Sequence, residues 1–246
     1  MNRWACAVGT ALALAWLTPT NTHAAVIIAG TRVVFPAARG EVTVRLSNDG
    51  EQPALVEAWI DNGDPRSTPD QSRVPFLITP PLFRMNPGKG QSLRIVYSHE
   101  PLPTDRESVF WLNVLEIPPK PGADGQDRNT LQFAVRSRLK LFFRPSNLAG
   151  NVAEAADRVT WKVLTDNGST VLEALNPTPY YLTFSKVTQG AGPTAVPMEG
   201  GMVAPFASLR LPVKNTAHTP APGTVIAFTI INDYGAAVNH QGSVAP

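Results

Sequence analysis

The chain has 246 residues, with 21 Lys plus Arg against 19 Asp plus Glu, a net charge of +2, and 43% apolar residues. So even a balance excludes bulk electrostatic attachment to nucleic acid or to an anionic membrane surface, and any cationic site has to be local. With one cysteine, Cys6, no internal disulfide can form, and stability has to come from buried apolar area.

Met1-Asn-Arg3 gives a short positive start, Trp4 to Leu17 an apolar run too short to span a bilayer, and Thr22-His-Ala24 small residues around a cleavage point. This is the layout of a secretory signal peptide over 1–24, cut after Ala24. Cleavage removes Cys6 and Arg3 and leaves an exported chain of net charge about +1. No later run has the length and apolarity of a membrane helix. Residues 25–246 suffice for one large core or two of ordinary size.

The 24 prolines and short alternating runs predict an all-β chain. Glu41 to Leu46 alternates, Asn48-Asp-Gly50 marks a turn, and Ala54 to Ile60 reads as the next strand. Leu93 to Tyr97, Val109 to Ile117 and Leu131 to Phe143 continue the series. A second series runs through Val159 to Leu164, a turn at Asp166-Asn-Gly168, Val171 to Leu175, Tyr181 to Val187, Ser208 to Val213 and Val225 to Ile231. Arg144 to Asn151, rich in Pro, Asn and Gly, breaks the two apart. The expectation is two β-sandwich domains, 25–146 and 147–246.

Leu131 to Pro145, LQFAVRSRLKLFFRP, carries an unusual pattern. One parity is Leu131, Phe133, Val135, Ser137, Leu139, Leu141 and Phe143; the other holds Arg136, Arg138, Lys140 and Arg144. Successive strand side chains point to opposite faces, so an apolar face is backed by four cations. On this segment alone, a sandwich strand with a charged wet side explains it.

Catalytic patterns are lacking. His99, His218 and His240 have no paired-ligand spacing, so a zinc site is not expected, and no GxSxG elbow or phosphate-cradling loop occurs. Gly88-Lys-Gly90 reads as a turn after Pro87. Glu57, Asp61 and Glu116 read as solvated charges rather than a glycosidase pair. Asn167-Gly-Ser169 fits a glycosylation sequon, but the hairpin turn accounts for it.

Leu102 to Pro119 (LPTDRESVFWLNVLEIPP) resembles the signature segment of the periplasmic pilus-assembly chaperones. So do Thr79-Pro-Pro81 with Arg84 to Gly88, Lys140 to Pro145, Asn176-Pro-Thr-Pro-Tyr-Tyr181 and Ile231-Asn-Asp-Tyr-Gly235. The blocks follow family order from Thr31 to Gly235, and Val187 to Ala207 between them reads as variable loops. The resemblance implies two immunoglobulin-like sandwiches at an angle with a cleft between them, and a chaperone that lends a strand to incomplete pilus subunits. Partners are then fimbrial subunits and an outer-membrane usher, with no nucleic acid, membrane insertion, metal or cofactor. Self-association of the free protein through its exposed strand stays open.

By the same resemblance, Leu131, Phe133 and Val135 are the donor-strand residues, in a strand of about 130–144. Arg32 and Lys140 anchor the subunit's C-terminal carboxylate, and Glu107, Arg144 and Asp233 form an ion network between the domains. Arg136 and Arg138 receive no role and read as solvated strand charges. Lys140 has the opposite parity from the donor residues, so its direction depends on a twist or bulge. The short loop from Lys120 to Thr130 and the lack of cysteine beside the strand resemble the short-loop branch. The alternative reading is a secreted two-domain adhesin or binding module, which would not need Arg32 and Lys140 beside an alternating apolar strand. A carbohydrate-active enzyme is disfavoured by the missing constellation.

Overall fold

In the computed structural model the described residues are 26–120, 131–166, 168–190, 195–213 and 219–246. The signal-peptide segment 1–24, most of the loop before Leu131, Asn167 of the sequon and His218 lie outside them.

The alternating runs become strands because each has one face to bury. In the first half, β1 (Val26–Ile28), β3 (Glu41–Asn48), β7 (Gly90–Tyr97) and β5 (Phe76–Thr79) pair in the order β1-β3-β7-β5. Facing them, β2 (Arg32–Pro36), β9 (Val135–Arg144), β8 (Ser108–Ile117), β4 (Ala54–Asp61) and β6 (Leu82–Met85) pair in the order β2-β9-β8-β4-β6. Phe35, Val56, Leu93, Ile95, Leu112 and Leu141 fill the space between the two sheets and are fully buried. This is sandwich packing, with inward residues from both sheets making one core.

The second half repeats the plan after a 3-10 turn at Val152–Arg158. One sheet is β10 (Thr160–Asp166), β11 (Ser169–Leu175) and β15 (Ser208–Pro212). The other is β13 (Val196–Met198), β12 (Leu182–Gln189), β16 (Val225–Ile231) and β17 (Ala237–Ser243), with β14 (Gly201–Val203) also on β12. Trp161, Phe184, Leu172 and Ile226 lie at the centre of a separate core. The stretch read as variable loops, Val187 to Ala207, therefore includes the end of β12 and two short strands that pair with it.

β9 differs from the sequence expectation in where it starts. Its ladder with β8 runs unbroken from Ser108 opposite Phe143 to Glu116 opposite Val135. By the same register Ala134 would lie opposite Ile117, the last residue of β8, and Leu131 to Phe133 opposite positions beyond it; Leu131 to Ala134 are not strand. The register contains no bulge. Leu139, Leu141 and Phe143 enter the core, while Arg136, Arg138 and Lys140 stand on the sheet's outer face.

Arg136 and Arg138 are not solvated charges there, and Asp61 is not a solvated carboxylate. Antiparallel pairing brings Trp59 and Asp61 of β4, Trp111 and Asn113 of β8, and the two arginines of β9 onto one face. Asp61, 2% exposed, takes hydrogen bonds from Arg138 at 2.6 and 3.3 Å and from Asn113 at 2.7 Å. Arg136 donates to the Asn113 carbonyl oxygen at 2.7 and 3.0 Å. Each guanidinium lies 4.6 Å from an indole, Arg136 on Trp59 and Arg138 on Trp111, a stacking that favours a cation.

Burial works against the Asp61 charge, but hydrogen bonds from Arg138, Asn113, the Gly63 amide and Ser67 outweigh it and hold the carboxyl below its usual range. A carboxyl lowered by folding stabilises the fold above its ordinary pKa, and that contribution is lost as pH falls through the lowered value. Asp61→Asn is expected to cost about 1–3 kcal/mol near neutral pH, because two partly buried guanidinia lose their acid. Urea titrations across the acid range should show the deficit shrinking as pH drops. A deficit that does not change with pH would contradict the assignment.

Candidate functional site

The site forms where β9 leaves the first sandwich. Arg144, its last residue, donates from Nε to Glu107 at 2.6 Å, and its two terminal nitrogens grip both oxygens of Asp233 at 2.6 and 2.9 Å. Such a bidentate fork is directional as well as strong. Glu107 is buried; its second oxygen accepts the Tyr181 amide at 2.8 Å, and its own amide donates to the Pro179 carbonyl at 2.9 Å. The Tyr180 ring lies 5.4 Å from the Arg144 guanidinium. Burial pushes the Glu107 carboxyl up, partly offset by Arg144. Burial also opposes the Arg144 charge, but Asp233 and Glu107 outweigh it and keep this arginine protonated.

Both acidic partners are held by local backbone chemistry. In the NPTPYY block, the Asn176 side chain donates to the carbonyls of Tyr180 and Ala204 and accepts from the Thr178 amide and hydroxyl, which shapes the loop that meets Glu107. In the β16–β17 hairpin, the Asn232 carboxamide oxygen accepts the amides of Tyr234 and Ala236 and so presents Asp233. Gly235, at φ +81, lies so close to Thr31 that a Cβ there would sit 2.4 Å from the threonine hydroxyl. A side chain would push the hairpin off the first sandwich.

Arg32 and Lys140 are cross-strand partners in the parallel ladder of β2 on β9. Arg32 donates to the Ile231 carbonyl at 2.8 Å, and its buried Nε has no partner among the described residues. Lys140 reaches the Thr183 hydroxyl at 3.2 Å and lies 5.8 Å from the Trp111 ring. Among the described residues no carboxylate comes within ion-pair distance of either. Burial lowers the pKa of both; Arg32 lowers that of Lys140 further, while Asp233 partly supports Arg32. Two partly buried cations without a counter-ion make a site for an anion.

β2 covers β9 only from Lys140 to Arg144. Among the described residues nothing pairs with that edge of β9 between Val135 and Leu139. Ahead of it Leu131 is 78% exposed, Phe133 68% and Val135 41%. All three continue the parity of Leu139 and Leu141, Val135 at the first rung of β9 opposite Glu116, Leu131 and Phe133 beyond the end of the strand. Lys140 points to the other face, and plain strand alternation explains its parity. Sequence reasoning missed Thr183, Trp111 and the Ile231 carbonyl, whose roles depend on pairing partners distant in the chain. It also left β2 unmarked, although the β-branched and aromatic run Val33-Val34-Phe35 is a usable signal.

Residues 25–149 match the family described as pili and flagellar-assembly chaperone, PapD N-terminal domain, and residues 154–242 match the pili assembly chaperone PapD, C-terminal domain. The chaperone protein FimB/FhaD of Bordetella pertussis is 43% identical, with the whole of both chains covered. The chaperone protein HifB of Haemophilus influenzae is 42% identical over 92% of this chain and 91% of its own. Among solved structures, the CupB2 chaperone of Pseudomonas aeruginosa superposes with a TM-score of 0.75 at 41% identity, covering 89% of this chain and all of the other. The SafB chaperone of Salmonella enterica, solved in complex with the SafA pilin, gives 0.74 at 30% identity, covering 93% and 99%.

Asp233→Asn keeps the shape of the hairpin but removes one of two acids facing Arg144. The expected cost is about 1–3 kcal/mol, accompanied by a looser angle between the sandwiches. Denaturant titration with small-angle scattering checks it; wild-type stability together with an unchanged scattering profile would show that the fork does not hold the domains.

Proposed function

The chain belongs to the pili-assembly chaperone family, and from that premise we propose that it works in the periplasm, capturing fimbrial subunits by donor-strand complementation and passing them to an outer-membrane usher. The observation that carries this reading is the edge of β9 left uncovered among the described residues, which ends at two cations with no carboxylate of those residues in ion-pair reach. A strand edge with free amides and carbonyls, flanked by exposed apolar side chains, is an aggregation hazard unless a partner covers it. An incomplete sandwich is such a partner: main-chain pairing supplies affinity, and alternate side chains fill its groove.

The anchor also gives a direction. Arg32 and Lys140 stand at the C-terminal end of the open stretch, where β2 takes over the ladder. A subunit strand whose terminal carboxylate rests on them would lie beside Val135 to Leu139 and run parallel to β9, in line with β2. Leu131, Phe133 and Val135 would then enter the subunit's groove. Pinning the carboxylate sets register, since a one-residue slip would turn every side chain to the wrong face. Export through cleavage after Ala24 suits this setting, and no catalytic step is involved. Among the described residues no helix is long and apolar enough to cross a membrane.

Arg32→Ala and Lys140→Ala should each abolish capture while leaving the fold intact, because neither residue belongs to the buried core. Losing one partner of a desolvated charge pair typically costs about 2–5 kcal/mol of binding, roughly 30-fold to several thousand-fold. Phe133→Glu should do the same by placing a charge in an apolar groove. Co-expression with a fimbrial subunit, pull-down and melting curves test all three. Folded variants that still capture at wild-type yield would sink the anchor, and variants that unfold would assign these residues to the sandwich.

Capture should also depend on pH. The lowered Lys140 pKa means that the free site loses a charge below the ordinary lysine range, and a bound carboxylate favours the protonated form. Affinity should therefore fall as pH climbs through that lowered value. Lys140→Arg, which stays charged, should flatten the fall; an equally steep loss in this variant would assign the dependence to another group.

A further inference from the structure

A third cation stands beside the pair assigned to the subunit's carboxylate. Arg138 is two residues before Lys140 on the same face of β9, so their Cα atoms are roughly 7 Å apart. An open depression of about 310 Å³ is lined by Arg32, Arg138 and Lys140 around the Trp111 indole, and by Ile231 and Gly235 of the second sandwich. No acidic residue belongs to that lining. Arg138 is moored from behind by Asp61 and stacked on Trp111, and Lys140 leans on the same indole. Asp61 divides its single charge between Arg138 and Arg136, which lies 3.7 Å away. Positive charge on this face therefore exceeds what its own acids neutralise.

We propose that Arg138 is a third cationic contact for the captured subunit's C-terminal carboxylate, with Trp111 as the platform that keeps Arg138 and Lys140 at a fixed separation. The inference rests on the carboxylate-anchor reading. A carboxylate offers about four lone-pair sites, and Lys140 already gives a donor to Thr183 and Arg32 one to the Ile231 carbonyl, which leaves room for a further guanidinium. A guanidinium already fixed by Asp61 and Trp111 loses little rotamer freedom on binding, so its contact costs less than that of a free surface arginine.

The probe is the subunit that co-purifies with the wild-type chain, and the measurement is its dissociation constant at low and high salt. Arg138→Gln should weaken binding roughly tenfold and flatten the salt dependence, a readout that a purely structural role would leave in place. The double variant Asp61→Asn with Arg138→Gln removes opposite charges together and leaves no buried acid unpaired. It should bind more weakly than Asp61→Asn alone, and Asp61→Asn with Arg138→Lys should recover the difference. If Arg138→Gln does not fold, the double variants decide. Wild-type affinity and salt dependence in Arg138→Gln, or equal binding by Asp61→Asn with and without Arg138→Gln, would overturn the third contact. If Lys140→Ala fails to capture in that same experiment, only the third contact falls; if Lys140→Ala captures normally, the anchor reading falls with it.

Discussion

Everything in the cleft depends on one guanidinium. Arg144 ends β9 in the first sandwich and grips Glu107 and, through a two-pronged contact, Asp233 on the far hairpin. The Arg32 contact with Ile231 and the Lys140 contact with Thr183 cross between the sandwiches as that fork does. Buried ion pairs contribute little net stability once desolvation is counted, but a wrong domain angle would leave three charges unpaired at once. The network fixes geometry more than it adds strength. This suits a site whose two cations come from one sandwich while their hydrogen-bond acceptors come from the other.

The division of labour along β9 follows from simple alternation. Odd positions from Leu139 onward go into the core, and even positions carry the cations. The same odd parity, continued backward, leaves Val135 exposed at the first rung of the ladder, opposite Glu116, and Leu131 and Phe133 exposed beyond it, with no strand partner among the described residues. One strand is thus structural at its C-terminal end and open to a partner at its N-terminal end. β8 pairs β9 from Val135 to Phe143, and the change comes on the other edge at Lys140, where β2 starts.

Much of this could be read from the residues alone. Alternation and turn chemistry located most strands and the two-domain plan, because Glu41–Asn48 or Val225–Ile231 carry their own period-2 signal. The cleft residues became legible through family motifs; no local pattern links Arg32 to Lys140 or Arg144 to Asp233. Where the reading failed, the cause was pairing at long range. Asp61 and Arg138 look like solvent charges one at a time, and only the register of β4 on β8 on β9 makes them neighbours. β17 escaped because AVNHQGS is a polar edge strand with little apolar signal, made regular by hydrogen bonds to β16. Leu131 to Ala134 were over-read as strand because their alternation is real but β8 ends at Ile117, opposite Ala134, and leaves Leu131 to Phe133 without a strand to pair with.

On the proposed reading, the parallel placement of β2 against Lys140 to Arg144 would make the cleft a ruler. A guest strand captured along β9 as proposed would meet the end of β2 and go no further, so its usable length would be counted backward from the cations. From Lys140 to Leu131 an extended chain covers roughly 30 Å. A guest whose apolar pockets sit at another distance from its terminus would either bury its carboxylate away from Arg32 or leave Phe133 facing water. Selection among clients would then rest on spacing as well as on composition, and a single inserted residue near a client's C-terminus would count for more than several conservative changes in its groove.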